Sequence, residues 1–213
     1  MKRIALTVLA IFFIFASAFD AKALIAIDAG HGGEDGGAST EGGVTEAEIN
    51  LDIALKMEQV FALYGVETVM TRRTPESLST EGKTIRARKR SDINNRIKLI
   101  QSADPELLIS IHQNKFSQPQ YYGAQVFFSA NDPVGAELAV FVQENLRLSI
   151  DPSNNRKAAV IPNSVLLMKS IKTPAILVEC GFLSNPKDAE NLCDPEYRLD
   201  VAACIAATVI NNL

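Results

Sequence analysis

Short apolar runs alternate with amphipathic stretches from residue 24 to the end of the sequence. Five of the runs have the length and composition of buried strands: Leu24–Asp28, Val66–Thr71, Leu107–His112, Ala124–Ser129 and Ala175–Glu179. Apolar residues at helical spacing predict four helices, marked by Ile49 to Val60, by Ile93 to Ile100, by the N-cap Asp132-Pro133, and by a stretch from about Pro195. Near-continuous apolar strands separated by helices predict a single α/β domain. Its sheet should be twisted and mostly parallel, with helices on both faces.

The first 23 residues have a different character. Two basic residues precede an apolar run from Ile4 to Phe19, and small residues follow at Ala16–Ala18 and Ala21–Ala23. This layout is typical of a secretory signal peptide, but the run also approaches the length of a membrane anchor. Both interpretations stay open. Either one predicts that residues 24–213 work outside the cytoplasmic membrane, secreted or anchored, with membrane contact only through the N-terminal segment.

Composition excludes some classes of protein and leaves the cysteines ambiguous. Of 213 residues, 47% are hydrophobic and 22% charged, an ordinary globular balance, and the net charge of −4 argues against a general nucleic-acid binder. Cys180, Cys193 and Cys204 lack a CxxC spacing, so they do not predict a disulfide framework or a zinc knuckle. We expect free buried thiols, with a Cys193–Cys204 disulfide as the alternative.

The two histidines of the sequence both follow predicted strands. His31 lies in the glycine-rich segment after Leu24–Asp28, and His112 ends the strand Leu107–His112. Open parallel sheets bind ligands beyond the carboxyl ends of their strands, so we expect both imidazoles at one edge. Neutral imidazole is a common zinc donor, which favours a metal site.

Two carboxylates are candidates to complete such a site. Thr45 and Glu48 have the spacing of a capping box, which places Glu46 in the first turn of a helix. Glu46 could be a third metal ligand, or it could simply interact with the helix dipole. Glu179 ends a very apolar strand, where desolvation would raise its pKa as a general base requires. A salt-bridged acid is the alternative for Glu179.

The segments around these residues resemble the zinc-dependent N-acetylmuramoyl-L-alanine amidase family (amidase 3 type). The resemblance covers essentially residues 24–213, and the matching segments are Ile27–Gly33, Glu46 with Asn50-Leu51, Thr71-Arg72, Ser110–Asn114 and Val178–Pro186. It implies that His31, Glu46 and His112 hold Zn²⁺ and that Glu179 is the catalytic base. It also implies hydrolysis of the amide between N-acetylmuramic acid and L-alanine in peptidoglycan.

Further segments resemble the germination-specific spore-cortex branch of that family. They are Arg86–Arg96, Gly123–Phe128 and Asn155–Lys157. The resemblance implies that the protein binds peptidoglycan and removes stem peptides from the cortex so that muramic-δ-lactam can form. It also implies a location that includes the forespore intermembrane space. An accessory exported protein or lipoprotein is a further expected partner.

Other interpretations of the sequence remain open. A zinc carboxypeptidase acting within the stem peptide would need a cation for the terminal carboxylate, and Arg72 or Arg96 could supply it. A non-catalytic module that binds wall or partner is the second alternative. The basic stretch Arg86–Arg96 predicts an interaction surface, unless it pairs locally with Glu76, Glu81 and Asp92. The polar and basic segment 77–90 is the expected mobile insertion.

Overall fold

A computed structural model describes residues 23–213, so the predicted leader, residues 1–23, lies almost entirely outside the described residues. Strands and helices alternate along the chain, as the hydrophobic pattern predicts. They are β1 (Leu24–Ala29), α1 (Glu46–Leu63), β2 (Glu67–Met70), α2 (Ile85–Ala103), β3 (Leu107–Asn114), β4 (Gln125–Phe128), α3 (Pro133–Ser149), β5 (Ala159–Val160), α4 (Leu166–Ser170), β6 (Ala175–Phe182), α5 (Pro186–Cys193) and α6 (Pro195–Ile210).

The strands form one six-stranded sheet in the order β2-β1-β3-β6-β4-β5. The pairs β1–β2, β1–β3, β3–β6 and β4–β5 are parallel, whereas β4 is antiparallel to β6. The predicted single α/β domain with a mostly parallel sheet is therefore confirmed. Because β1, β3 and β6 are adjacent and parallel, their carboxyl ends meet at one edge. His31 follows β1, whereas His112 and Glu179 lie within the carboxyl-terminal halves of β3 and β6, which extend past the predicted strand ends.

Both faces of the sheet are covered, as predicted. Alternate residues of β1 point in opposite directions, so Ile25 and Ile27 belong to one core with α1, α3 and α6, while Ala26 belongs to another. That second core contains Ala26, Ile100 of α2 and Met168 of α4. Burial on both sides explains why the central strands read as continuous apolar runs and not as alternating ones.

Local signals fix the start of the helix that carries Glu46. The Thr45 side chain accepts a hydrogen bond from the Glu48 backbone N–H, and the Glu48 carboxylate accepts one from the Thr45 N–H at 2.8 Å. This is the predicted capping box, and it makes Glu46 the first residue of α1. Helix α3 likewise begins with Asp132 as N-cap and Pro133 in the first turn, as predicted.

The segment 77–90, the predicted mobile insertion, is hydrogen-bonded to α2, and its mobility stays a prediction. Its second half is helical from Ile85 onward. Its first half is fastened to α2, because the Leu78 N–H donates to the Asp92 carboxylate at 2.6 Å and the Asn95 amide donates to the Leu78 carbonyl at 2.7 Å. Long-range hydrogen bonds of this kind leave no local signature in a polar sequence.

The structure tests the predictions for the three cysteines, which all lie within the described residues. The three cysteines are free, and Cys180 is buried while Cys204 is partly buried. The expectation of free thiols is confirmed and the Cys193–Cys204 disulfide is not formed, but Cys193 is exposed, so its predicted burial is wrong. Among the helices within residues 23–213, none combines the length and apolar character needed to cross a bilayer.

Candidate metal centre and active site

Three of the predicted site residues converge at the carboxyl edge of the sheet. One ligand atom each from His31, Glu46 and His112 can be chosen so that all lie within 4.8 Å of one another. Glu46 Oε1 stands between the two rings, 3.2 Å from His31 Nε2 and 3.0 Å from His112 Nδ1. Residues separated by up to 81 positions in the chain therefore form one potential metal site, as the positions of the histidines after strands predict.

The loop after β1 is shaped to bring His31 against His112. A side chain on Gly30 would collide with the His112 ring, so the close approach requires glycine there. His31 itself adopts a left-handed conformation with φ of 62°, which costs energy for a non-glycine residue and is common at functional sites. Its Nδ1 is 2.8 Å from Asp35 Oδ2, which fixes the ring and turns Nε2 toward Glu46.

Glu46 is held by backbone groups from two sides. The Ala38 N–H donates to its Oε2 at 2.9 Å, and the Gln113 N–H donates to its Oε1 at 3.1 Å. Gly37 has a φ of +67°, and a side chain there would approach Glu46 Oε2 to 2.5 Å. Glu46 is only 4% exposed, so burial and these hydrogen bonds fix its carboxylate between the two imidazoles.

The electrostatics of this cluster favour a bound positive charge. Burial acts to raise the pKa of Glu46, but His112 and His31 outweigh it and hold that pKa well below its ordinary range. Burial acts to lower the pKa of His31, but hydrogen bonds and charges from Asp35 and Glu46 raise it to about 9. An ionised carboxylate between two imidazoles attracts either protons or a cation, and a metal would have to displace the proton from His31.

Glu179 lies directly beside the three candidate ligands. It is the register partner of His112 across the parallel pair β3–β6, so the two side chains stand on the same side of the sheet. Its Oε2 is buried and has no hydrogen-bond partner among residues 23–213. Burial raises the pKa of Glu179 to about 7, with Glu46 adding to the effect and His112 opposing it. None of the ion pairs among the described residues includes Glu179, so the salt-bridge alternative receives no support. A carboxyl group whose pKa lies near 7 is suited to proton transfer at neutral pH.

Arg72 and Arg96 are structural, which is a correction to their suggested role in holding a substrate carboxylate. They are 4% and 3% exposed. Arg72 donates to the backbone carbonyls of Ala29 at 2.9 Å and Gly30 at 3.0 Å, among others. Arg96 forms a buried ion pair with Asp28 at 2.7 Å and donates to the Ala29 carbonyl at 2.6 Å. The carboxypeptidase interpretation thus loses both of the cations on which it depended.

The basic stretch on α2 does not form the single surface that the sequence predicts. Arg96, its last member, is buried in ion pairs with Asp28 and with Asp92, and Asp92 is one of the acids named for local pairing in the sequence. Arg88 and Lys89 form ion pairs with Glu34 and Asp35, acids of the loop after β1 and different from those considered in the sequence. Of the basic residues in Arg86–Arg96, only Arg86 and Arg90 are exposed and without an ion pair among the described residues. The others form ion pairs with carboxylates.

Asp35 is a site residue that sequence reasoning missed. Its Oδ2 contacts His31 Nδ1, while its Oδ1 contacts Lys89 Nζ at 2.7 Å. The only signal in the sequence was an acid four residues after a histidine in a glycine-rich segment. Asn50 was also missed as a support, and its side-chain amide donates to the Gly30 carbonyl at 3.1 Å.

Comparisons with known proteins give matches over nearly all of the described residues. Residues 25–211 match the family model described as N-acetylmuramoyl-L-alanine amidase. The chain is 36% identical over 183 residues to a germination-specific N-acetylmuramoyl-L-alanine amidase of Bacillus subtilis, covering 85% of this chain and 76% of the relative. It is similar to the CwlD amidase from Clostridioides difficile, solved in complex with the GerS lipoprotein, with a TM-score of 0.85, 35% identity, and coverage of 89% and 97% of the two chains. The amidase AmiC2 of Nostoc punctiforme gives a TM-score of 0.76 at 26% identity, covering 90% and 97%.

Proposed function

The chain belongs to the N-acetylmuramoyl-L-alanine amidase family and is an enzyme of that activity on peptidoglycan, and on this premise we propose that it is a zinc amidase. His31, Glu46 and His112 would hold the zinc, and Glu179 would be the catalytic base. The observation that carries the proposal is the convergence of two imidazole nitrogens and one carboxylate oxygen within 4.8 Å. This donor set fits zinc, because catalytic zinc sites use three protein ligands of these types and keep a further position for water or substrate.

The chain's own residues supply the proton transfers. When bound, zinc would act as a Lewis acid toward the scissile carbonyl and make water a better nucleophile. Glu179 accepts the proton of the attacking water, since its Oε2 is unpartnered among the described residues and its pKa is near 7. The same carboxyl then donates that proton to the amine of L-alanine as the carbon–nitrogen bond breaks. Asp35 keeps the His31 ring in place throughout.

Metal analysis and product analysis together test this proposal. We expect about one zinc per chain in the wild type and a large loss of zinc in His112→Ala, because a three-ligand site loses one donor. Hydrolysis of intact peptidoglycan should release new N-terminal L-alanine and free muramic acid carboxyls. Full zinc occupancy in His112→Ala would refute the ligand assignment. Cleavage between amino acids of the stem would refute the bond assignment.

We further propose spore-cortex peptidoglycan as the substrate, and an exported lipoprotein as a partner. Support comes from the germination-specific relative of Bacillus subtilis and from the CwlD amidase that was solved with the GerS lipoprotein. Export would follow from the predicted leader. Purified protein incubated with cortex and with vegetative peptidoglycan should remove stem peptides preferentially from cortex. Equal rates on the two materials would argue against a dedicated cortex enzyme.

A further inference from the structure

A row of side chains crosses the sheet from His112 on β3 to Glu179 on β6 and continues onto the antiparallel strand β4. Gln125 is the register partner of Glu179 across β4–β6, as His112 is across β3–β6. Residues directly opposite each other share a face of the sheet, so His112, Glu179 and Gln125 stand in line. The Oε1 atom of Gln125 accepts a hydrogen bond from Arg156 Nη1 at 2.9 Å. Arg156 therefore lies at the end of the row that is remote from the candidate metal ligands.

The guanidinium of Arg156 is fixed by hydrogen bonds and an aromatic contact. Its Nε donates to the Tyr122 carbonyl at 2.7 Å, and its guanidinium carbon is 4.3 Å from the centroid of the Phe182 ring. With the contact to Gln125, these interactions fix the guanidinium plane. Within residues 23–213 Arg156 forms no ion pair, and Nη2 has no described hydrogen-bond partner. This contrasts with Arg96, whose charge is balanced by buried carboxylates.

An exposed aromatic cluster adjoins this cation. Phe116 and Tyr121 pack edge-to-face at 5.3 Å between centroids, and Phe116 packs on Phe182 at 5.2 Å. Phe116 is 45% exposed and Tyr121 is 40% exposed, so both rings offer apolar area to a ligand. A shallow cavity of about 240 Å³ lies between residues 120–122, in the loop between β3 and β4, and residues 154–156.

We infer that Arg156, flanked by Phe116 and Tyr121, forms a subsite for a free carboxylate of the peptidoglycan stem peptide. The inference rests on the proposed function. When the scissile amide lies over His112 and Glu179, the part of the substrate on one side of that bond extends along the row toward Arg156. The muramic acid carboxyl is consumed in that amide, so the glycan beside the bond is uncharged, whereas the stem peptide keeps carboxylates. A fixed guanidinium with free N–H donors recognises carboxylates, and the rings cover aliphatic parts of the peptide.

Kinetics with paired substrates test the subsite. Two soluble muramoyl peptides should be used, identical except that the stem carboxylates are free in one and amidated in the other. The wild type should prefer the free acid. Arg156→Gln should raise KM for the free acid by about 10–100-fold, the loss expected for a charge-assisted hydrogen bond, with kcat nearly unchanged. Arg156→Lys should restore part of the preference. Lys157→Gln, at the exposed neighbouring cation, is the matched control and should change nothing.

Calorimetry with the free stem peptide separates this inference from the proposed mechanism. The peptide with free carboxylates should bind the wild type more tightly than its amidated form, and Arg156→Gln should bind both equally. Charge-dependent binding without turnover would refute the mechanism and leave the subsite standing. Turnover or binding that ignores the stem charge would refute the subsite. Equal losses on both substrates, accompanied by a lowered kcat or melting temperature, would show that Arg156 only supports the loop between β3 and β4, through its hydrogen bond to the Tyr122 carbonyl.

Discussion

Replacing Arg96 by methionine should destabilise the protein strongly, although the sequence suggests an exposed basic residue. Its guanidinium reaches the Asp28 carboxylate at 2.7 Å and the Asp92 carboxylate at 2.8 Å. It also donates to the His31 carbonyl at 2.5 Å. Methionine has a similar length but leaves all these acceptors without their donor. The His31 turn loses a support at the same time.

The magnitude follows from the burial of the pair. Asp28 is 1% exposed and Arg96 is 3% exposed, so Asp28 would remain as a buried carboxylate with only the Ser110 and Thr71 hydroxyls as donors. Removing one partner of such a pair typically costs about 3–5 kcal/mol. For a domain of this size 1 kcal/mol corresponds to about 2–4 °C, so the melting temperature should fall by roughly 6–20 °C.

The effect should also depend on pH in a defined direction. Burial acts to raise the pKa of Asp28, but the charge of Arg96 and other contacts outweigh it and lower that pKa from 3.8 to about 2. A folded-state pKa below the unfolded one contributes stability above pH 3.8, and the contribution is lost as the pH falls toward 2. The gap in unfolding free energy between wild type and Arg96→Met should therefore be widest near neutrality and narrow on acidification.

Urea unfolding of the domain at several pH values between 7 and 3 measures this gap. Arg86→Met is the control, because this exposed arginine lies on the same helix and its replacement should change stability by less than about 0.5 kcal/mol. A double variant, Asp28→Asn with Arg96→Met, should lose less than the sum of the single changes, since the two residues are in contact. A loss in Arg96→Met as small as that in Arg86→Met would refute the buried ion pair.

Three further predictions concern the site and the remaining basic surface. Glu179→Gln should keep its zinc but lose about 10²–10⁴-fold in turnover, and substantial retained activity would contradict the role of Glu179 as the base. The wild-type rate should fall as the pH drops through the pKa of Glu179, because the base must be ionised. Asp35→Asn should weaken zinc binding by about 10–100-fold in chelator competition, since the His31 ring loses its charged partner; an unchanged affinity would contradict this. Reversing Arg86 and Arg90 to glutamate should weaken association with wall polymer or a lipoprotein at low salt, with zinc content unchanged; binding that is unaffected would mean that these side chains only face solvent.

Local sequence patterns determined the elements and much of the site. Apolar runs located five strands, and the Thr45–Glu48 capping box located the start of α1, because these signals depend on neighbours within one turn or one strand. The two-residue strand β5 (Ala159–Val160) was missed, since it exists only through pairing with β4. Helix α5 was missed as well, although Asn185 and Pro186 form an N-terminal signal that could have been found.

The partners of charged side chains were decided by the tertiary structure. Strand-end positions were enough to predict that His31 and His112 meet, because parallel strands bring their carboxyl ends to one edge. The 3.0 Å distance between Glu46 Oε1 and His112 Nδ1 depends on a distant strand, so the sequence near Glu46 could not show it. Arg86 and Arg96 look alike in a basic helix, but only Arg96 faces the buried Asp28 carboxylate. The sequence specifies the charge of each side chain, whereas the packing of elements remote in sequence decides whether that charge contacts an opposite charge or faces solvent.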